Sequence, residues 1–178
     1  MWFKDAQTKE TTYQLLLGGQ LFSLSASQIS DHIKKKLKSN FIIRKLFKKF
    51  GIDLNELDNL SIKIMPLAKQ YALTDDKEMK LDESLFKKRN DFFEKHMFLP
   101  AHEVVHFIKR LSEKKSYLAD SEEVLGFATG IAYCLSNGKS IQDVWRDVFP
   151  KIKWHFNDQE RAELFFKKCI QKAKKIAE

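Results

Sequence analysis

The sequence predicts an α+β fold dominated by helices, and three observations carry the prediction. Apolar residues recur at helical spacing, between recognisable caps, through most of the chain. Only 6 glycines and 3 prolines occur in 178 residues, too few for a loop-rich or all-β architecture. A single stretch, from about 60 to 81, alternates in the manner of strands. Without that β element the alternative is an all-α helical bundle. The length suits one domain, 1–178, with a basic N-terminal helical part to about 58, a middle part over 60–135 and C-terminal helices over 140–178.

Taken in order, residues 1 to about 25 are mixed, with a short apolar run ending at Gly18-Gly19. Ser25 or Ser27 is placed to cap a helix from about Gln28 to Phe50, stopped by Gly51. Its apolar positions Ile29, Ile33, Leu37, Ile43, Leu46, Phe47 and Phe50 keep close to a 3.6 period. A shorter helix follows near Asp53 to Leu57. Ser61-Ile62-Lys63-Ile64-Met65 alternates and halts at Pro66, and residues 70–73, 74–77 and 78–81 read as strand, turn and strand.

The chain then returns to helices. Asp82 to about Lys95 is amphipathic through Leu85, Phe86, Phe92 and Phe93. Pro100 fits the first turn of a helix reaching Ser112. Asp120 or Ser121 caps the next, which stops at Asn137-Gly138. Ser140 caps a short helix through Val148, ended before Pro150. Asn157-Asp158-Gln159-Glu160 opens a last helix whose terminal Lys174-Lys175 suits the negative end of its dipole.

Composition narrows the functional classes. The net charge of +8 favours anionic partners, such as nucleic acid, an acidic protein surface or anionic lipid, unless the lysines simply make a solvated face. Cys134 and Cys169, the two cysteines, fall in apolar helical segments and read as buried thiols in a reducing compartment. Met1-Trp2-Phe3-Lys4-Asp5 lacks the pattern of a signal peptide. The longest apolar run, Leu15 to Leu24, is broken by Gly18-Gly19-Gln20, so no segment approaches the ~20 residues of a membrane span. A cytoplasmic protein is expected, or a virion-associated one if the origin is a phage. No glycine-rich phosphate loop, C-x-x-C pair or G-x-S-x-G elbow is present.

The segment with most chemistry is His102-Glu103-Val104-Val105-His106. Residues four apart share a helix face, so His102 and His106 can aim two imidazoles at one Zn²⁺ ion, with Glu103 beside them to activate a water. Glu122-Glu123 opens the following helix and offers a carboxylate as third ligand. The strand-like stretch before the motif would give a peptide substrate an edge to pair with. The same residues have an ordinary reading too. Acids in the first turn of a helix suit its dipole, and a half-buried histidine is often only a packing residue.

Ala101-His102-Glu103-Val104-Val105-His106, followed by Glu123-Val124-Leu125-Gly126-Phe127-Ala128, resembles the gluzincin branch of the zincin metallopeptidases. The nearest likeness is to small members of the ImmA/IrrE type, and Met79-Lys80-Leu81-Asp82-Glu83-Ser84-Leu85 resembles their strand-then-helix approach to the active helix. The resemblance covers about 60–135, and only the pentapeptide is specific. It implies a zinc-dependent hydrolase acting on a protein or peptide. His102, His106 and Glu123 would be metal ligands, Glu103 the general base, and Tyr117, Tyr133 or His155 the group polarising the carbonyl.

A second functional signal is independent of the first. Lys34, Lys35, Lys36, Lys38, Arg44, Lys45, Lys48 and Lys49 crowd into sixteen residues without an acid, interleaved with Phe41, Ile42, Ile43, Leu46 and Phe47. Lys167, Lys168, Lys172, Lys174 and Lys175 form another patch. These support the alternative of a non-catalytic helical binding or assembly protein, a virion or regulatory component for instance, whose basic faces meet nucleic acid or an acidic partner. The plainer account is a core helix with a lysine-rich solvent side.

Overall fold

The computed structural model describes residues 11–68, 70–87, 90–112 and 119–178, and for 119–121 the backbone only. The fold is α+β and predominantly helical, so the all-α alternative is set aside. The described residues open with a hairpin of β1 (Thr12–Leu17) and β2 (Gln20–Ser25), where the sequence suggested only a mixed segment. Gly18 (φ 59°) and Gly19 (φ 83°) make its two-residue turn, a conformation with two positive φ angles that a hairpin needs and glycine adopts without strain.

Ser25 caps α1 (Ala26–Ser39) through a capping box with Gln28. The single long helix expected to Phe50 is instead two, because α2 (Phe41–Phe50) starts afresh at Asn40. The Asn40 side chain accepts hydrogen bonds from the backbone N–H groups of Ile42 and Ile43, which an interior helical residue would give to carbonyls behind them. Both helices bury the expected stripe, from Ile29, Ile33 and Leu37 to Ile42, Ile43, Leu46 and Phe47. Gly51 closes α2 in the left-handed conformation, and the short helix after it is a 3-10 turn over Leu54–Asn59.

The three-stranded sheet joins β3 (Ser61–Met65), β4 (Ala72–Asp75) and β5 (Glu78–Asp82). β5 lies in the middle, parallel to β3 and antiparallel to β4. The β4–β5 turn is Asp76-Lys77, so Thr74 and Asp75 belong to the strand rather than to the expected turn. β4 is thereby an edge, and it packs against the helix that carries the histidine motif. The helix expected over 82–95 is replaced, among the described residues, by two single turns, α3 (Ser84–Lys87) and α4 (Phe92–Lys95). Both bury phenylalanines, and Phe86 and Phe92 stack with centroids 4.3 Å apart.

α5 (Phe98–Leu111) is the central helix. Pro100 stands in its first turn, as expected, where a missing N–H leaves no hydrogen bond unmade. α6 (Ala119–Ser136) packs along α5, and α7 (Ile141–Lys153) and α8 (Gln159–Ala177) close over α6. The caps proposed at Asp120 and Ser121 lie outside the described side chains. Ser140 and Asp158 cap α7 and α8 as expected. α7 does not end before Pro150 but passes through it to Lys153. The carbonyl this leaves without its usual partner belongs to Arg146, on the exposed side. Among the described residues the buried apolar side chains form one hydrophobic cluster. No helix of the described residues is long and apolar enough to cross a membrane.

Candidate metal centre

Two helices build the site. Every residue of α5 from Phe98 to Ile108 is buried except His106, which is half-buried, so the histidine motif is set in an otherwise apolar helix. His102 is the fifth residue of α5, beyond the fraying first turn. One turn on, His106 presents its Nε2 atom 3.1 Å from that of His102. From α6, the Glu123 carboxylate reaches between them, 3.5 Å from His102 Nε2 and 3.4 Å from His106 Nε2. These three donors make a group able to hold a metal ion. Ligand atoms at about 2.0–2.2 Å from a tetrahedral zinc stand about 3.3–3.5 Å from each other, so the triangle already has nearly the edges that zinc requires.

Neighbouring groups set the state of each donor. Glu122 Oε1 lies 2.7 Å from His106 Nδ1. With the proton of that bond on Nδ1, His106 Nε2 is left as a lone pair facing the centre. Adjacent helical positions lie ~100° apart, so Glu123 enters the triangle while Glu122 passes behind His106. His102 is held differently. Its ring packs edge-on to Phe127 (centroids 4.4 Å) and lies flat against the backbone of Gly126. A Cβ at position 126 would meet Cε1, Nδ1 and Nε2 of His102 at 2.9, 3.0 and 3.1 Å, so only glycine leaves the ring its place. Burial, then the charges of His106 and His155, hold the His102 pKa down to about 3, which keeps it neutral, the form that ligates metals.

Glu103 points to the other flank of α5, against Thr74 of β4. Burial pushes its carboxyl up to about 7, with the nearby Glu123 charge adding to the rise, while His106 and Thr74 work against it. A carboxylate near neutrality beside a cleft is suited to taking up and giving back a proton. The cleft, about 230 Å³, runs from Tyr71 to Thr74 across α5 to the turn after α7.

Of the candidates for a polarising group, His155 lines this cleft. Tyr133 does not. It is buried further along α6, with its hydroxyl pKa pushed up to about 12 by burial, and so is set aside. Tyr117 lies outside the described residues. Sequence reasoning offered Glu122 only as an alternative carboxylate to Glu123 and missed Gly126, although both stand within the segment it singled out.

The basic residues singled out in α1 and α2 do not line this cleft. Lys34 and Lys38 reach Asp58, and Lys45 reaches the carbonyl of Ile176. Lys35, Arg44, Lys48 and Lys49 are exposed, on the far side of α1 and α2 from their buried stripe. No protein family, curated protein or solved structure gives a significant match to the chain.

Proposed function

We propose that this protein is a zinc-dependent hydrolase acting on a peptide bond, similar in its chemistry to the zincin metallopeptidases. The observation that carries the reading is the triangle of His102 Nε2, His106 Nε2 and Glu123, with edges of 3.1, 3.4 and 3.5 Å. Support comes from the second carboxylate, Glu103, which lines the same cleft beside the triangle.

His102, His106 and Glu123 would hold the ion, leaving the cleft side open. A zinc ion there supplies Lewis acidity, enough to bring the pKa of a water from that of bulk solvent to about 7 and to polarise a carbonyl. Glu103 takes a proton from the attacking water on a carboxylate oxygen and returns it to the departing amine nitrogen. His155, which lines the cleft, would donate a hydrogen bond to the oxyanion. The outer edge of β4 gives an extended peptide a strand to lie along.

Metal analysis of the purified chain tests this. About one zinc per chain is expected, lost in His102→Ala and His106→Ala and kept in Glu103→Gln, which no longer cleaves a peptide substrate. A folded wild type that takes up no zinc from a metal-supplemented buffer refutes the proposal.

A further inference from the structure

The lysine-rich run of the sequence divides in the fold. In α1, Lys34 and Lys38 turn to the carbonyl and carboxylate of Asp58 at 3.0 and 2.6 Å, and Lys36 lies over the Phe93 ring. In α2, Arg44 and Lys48, and beside them Lys45 and Lys49, stand one turn apart on the exposed side, opposite the buried stripe. Lys168, Lys172 and Lys175 form a similar row on the exposed side of α8, which carries no acid between Glu163 and Glu178. The two helices meet where the Lys45 ammonium donates to the Ile176 carbonyl, at 3.1 Å, in the last turn of α8. Rows far apart in the chain thus adjoin. Among the described residues, no ion pair engages any cation of these rows. Like charges one turn apart destabilise a helix, and a surface built only for solubility intersperses both signs.

We propose that this two-helix surface binds nucleic acid through the phosphate backbone, without regard to base sequence. The inference goes beyond the hydrolase reading and does not rest on it, since none of these residues lines the cleft. Phosphate oxygens require charge and hydrogen-bond donors, which rows of Arg and Lys ~6 Å apart along a helix supply, and such contacts carry no sequence information. An anionic membrane fits less well. An interfacial helix presses its apolar face into lipid, whereas both helices here turn theirs into the core. Of the apolar side chains of α2 only Phe41 is exposed, and α8 exposes no large one after Leu164. An acidic protein also fits less well, because the core of a protein interface is anchored by aromatic residues and depleted of lysine.

The test titrates the full chain, with a chelator present so that the metal centre plays no part, into a short fluorescent DNA oligonucleotide, single-stranded and as its duplex. Anisotropy is read over a range of salt. About five phosphate contacts give a slope of log affinity against log salt of about −3.5 on a single strand and about −4.5 on a duplex. Binding should therefore be about a hundredfold or more tighter at about 50 mM salt than at about 200 mM, and the tighter-bound form identifies which of the two the surface serves. Arg44→Gln with Lys48→Gln and Lys49→Gln, and separately Lys168→Gln with Lys172→Gln and Lys175→Gln, change only exposed side chains. Each triple variant should reduce the slope by about 2 and bind at least about tenfold more weakly at the lower salt. Lys63→Gln with Lys77→Gln and Lys153→Gln removes the same charge from exposed positions elsewhere and should bind within about twofold of wild type. Absence of binding at the lower salt overturns the proposal, as does equal weakening in the control variant. Tighter binding to phosphatidylserine vesicles or to polyglutamate than to either form of DNA overturns it too, in favour of a membrane or an acidic protein.

Discussion

Replacing Glu103 with glutamine should stabilise the metal-free protein at neutral pH. In the folded chain the carboxyl is pushed up to about 7 from an ordinary value of 4.5, chiefly by burial. The native state therefore binds this proton more tightly than the unfolded state does. Below about pH 4.5 both states are protonated and the carboxyl costs nothing. From there to about pH 7 the unfolded state ionises first, and stability falls by about 1.4 kcal/mol per pH unit, reaching a deficit of about 3 kcal/mol.

Glutamine cannot ionise, so the advantage of Glu103→Gln should grow from near zero at pH 4.5 to about 3 kcal/mol at pH 7.5 and then level off. His102 acts in the opposite sense. Its pKa is lowered from 6.5 to about 3, so it costs the folded state nothing above pH 6.5 and a growing deficit as pH falls from there towards 3. That contribution is common to both proteins and cancels on subtraction. Urea unfolding at several pH values with a chelator present measures the difference. The chelator matters because a divalent cation beside the carboxylate would favour its ionised form and erase the deficit. A difference that stays flat between pH 4.5 and 8, or a Glu103→Gln protein less stable than wild type at pH 8, would refute the argument.

Further predictions concern the metal and the helix crossing. Zinc at about a thousand times its dissociation constant should stabilise the wild type by about 4 kcal/mol, raising Tm by roughly 8–16 °C in a scan, and should not shift Tm in His106→Ala. Glu122→Gln should weaken zinc binding about 10–100-fold, read by competition with a chelating dye, because His106 Nδ1 loses its charged acceptor. Gly126→Ala should lower zinc affinity, since the three atoms nearest its methyl all belong to the His102 ring, which must move to make room. Gly130→Ala should lower the urea midpoint instead, because its methyl would stand 2.7 Å from the backbone oxygen of Phe98. Forcing α5 and α6 apart there costs about 1–3 kcal/mol against a propensity gain of up to about 1.

How much of this was legible in the sequence depends on whether the cause was local. The spacing of His102 and His106 fixes their common face on any helix, and Ser25, Gly51, Ser140 and Asp158 mark helix ends by hydrogen bonds made within a few residues. Glu123 could be named as a third donor because a helix start was visible. Which of two adjacent glutamates turns inward was not, since that depends on the roll of α6 over α5. The β1–β2 hairpin was hidden because Leu15-Leu16-Leu17 masks the alternation in which Tyr13 and Leu15 are the buried positions. The break at Asn40 was hidden for the reverse reason. α1 and α2 bury their apolar residues in the same core, so the 3.6 period runs on across a residue that caps both.

The crossing of α5 and α6 concentrates features that a helix pair built only for stability would avoid. A glycine inside a helix costs about 1 kcal/mol relative to alanine, and α6 carries two, one turn apart. Gly130 has a packing reason, since it brings the α6 backbone against Phe98. Gly126 has none of that kind, because the three atoms nearest its missing Cβ all belong to the imidazole of His102. Opposite that glycine, α5 buries a histidine held neutral and a glutamate raised towards neutrality, where apolar residues of similar volume would leave no deficit. A packing role would explain either feature alone. Together they keep two imidazoles and one carboxylate at fixed separations beside an open cleft, which is the requirement of a centre that binds an ion and moves a proton.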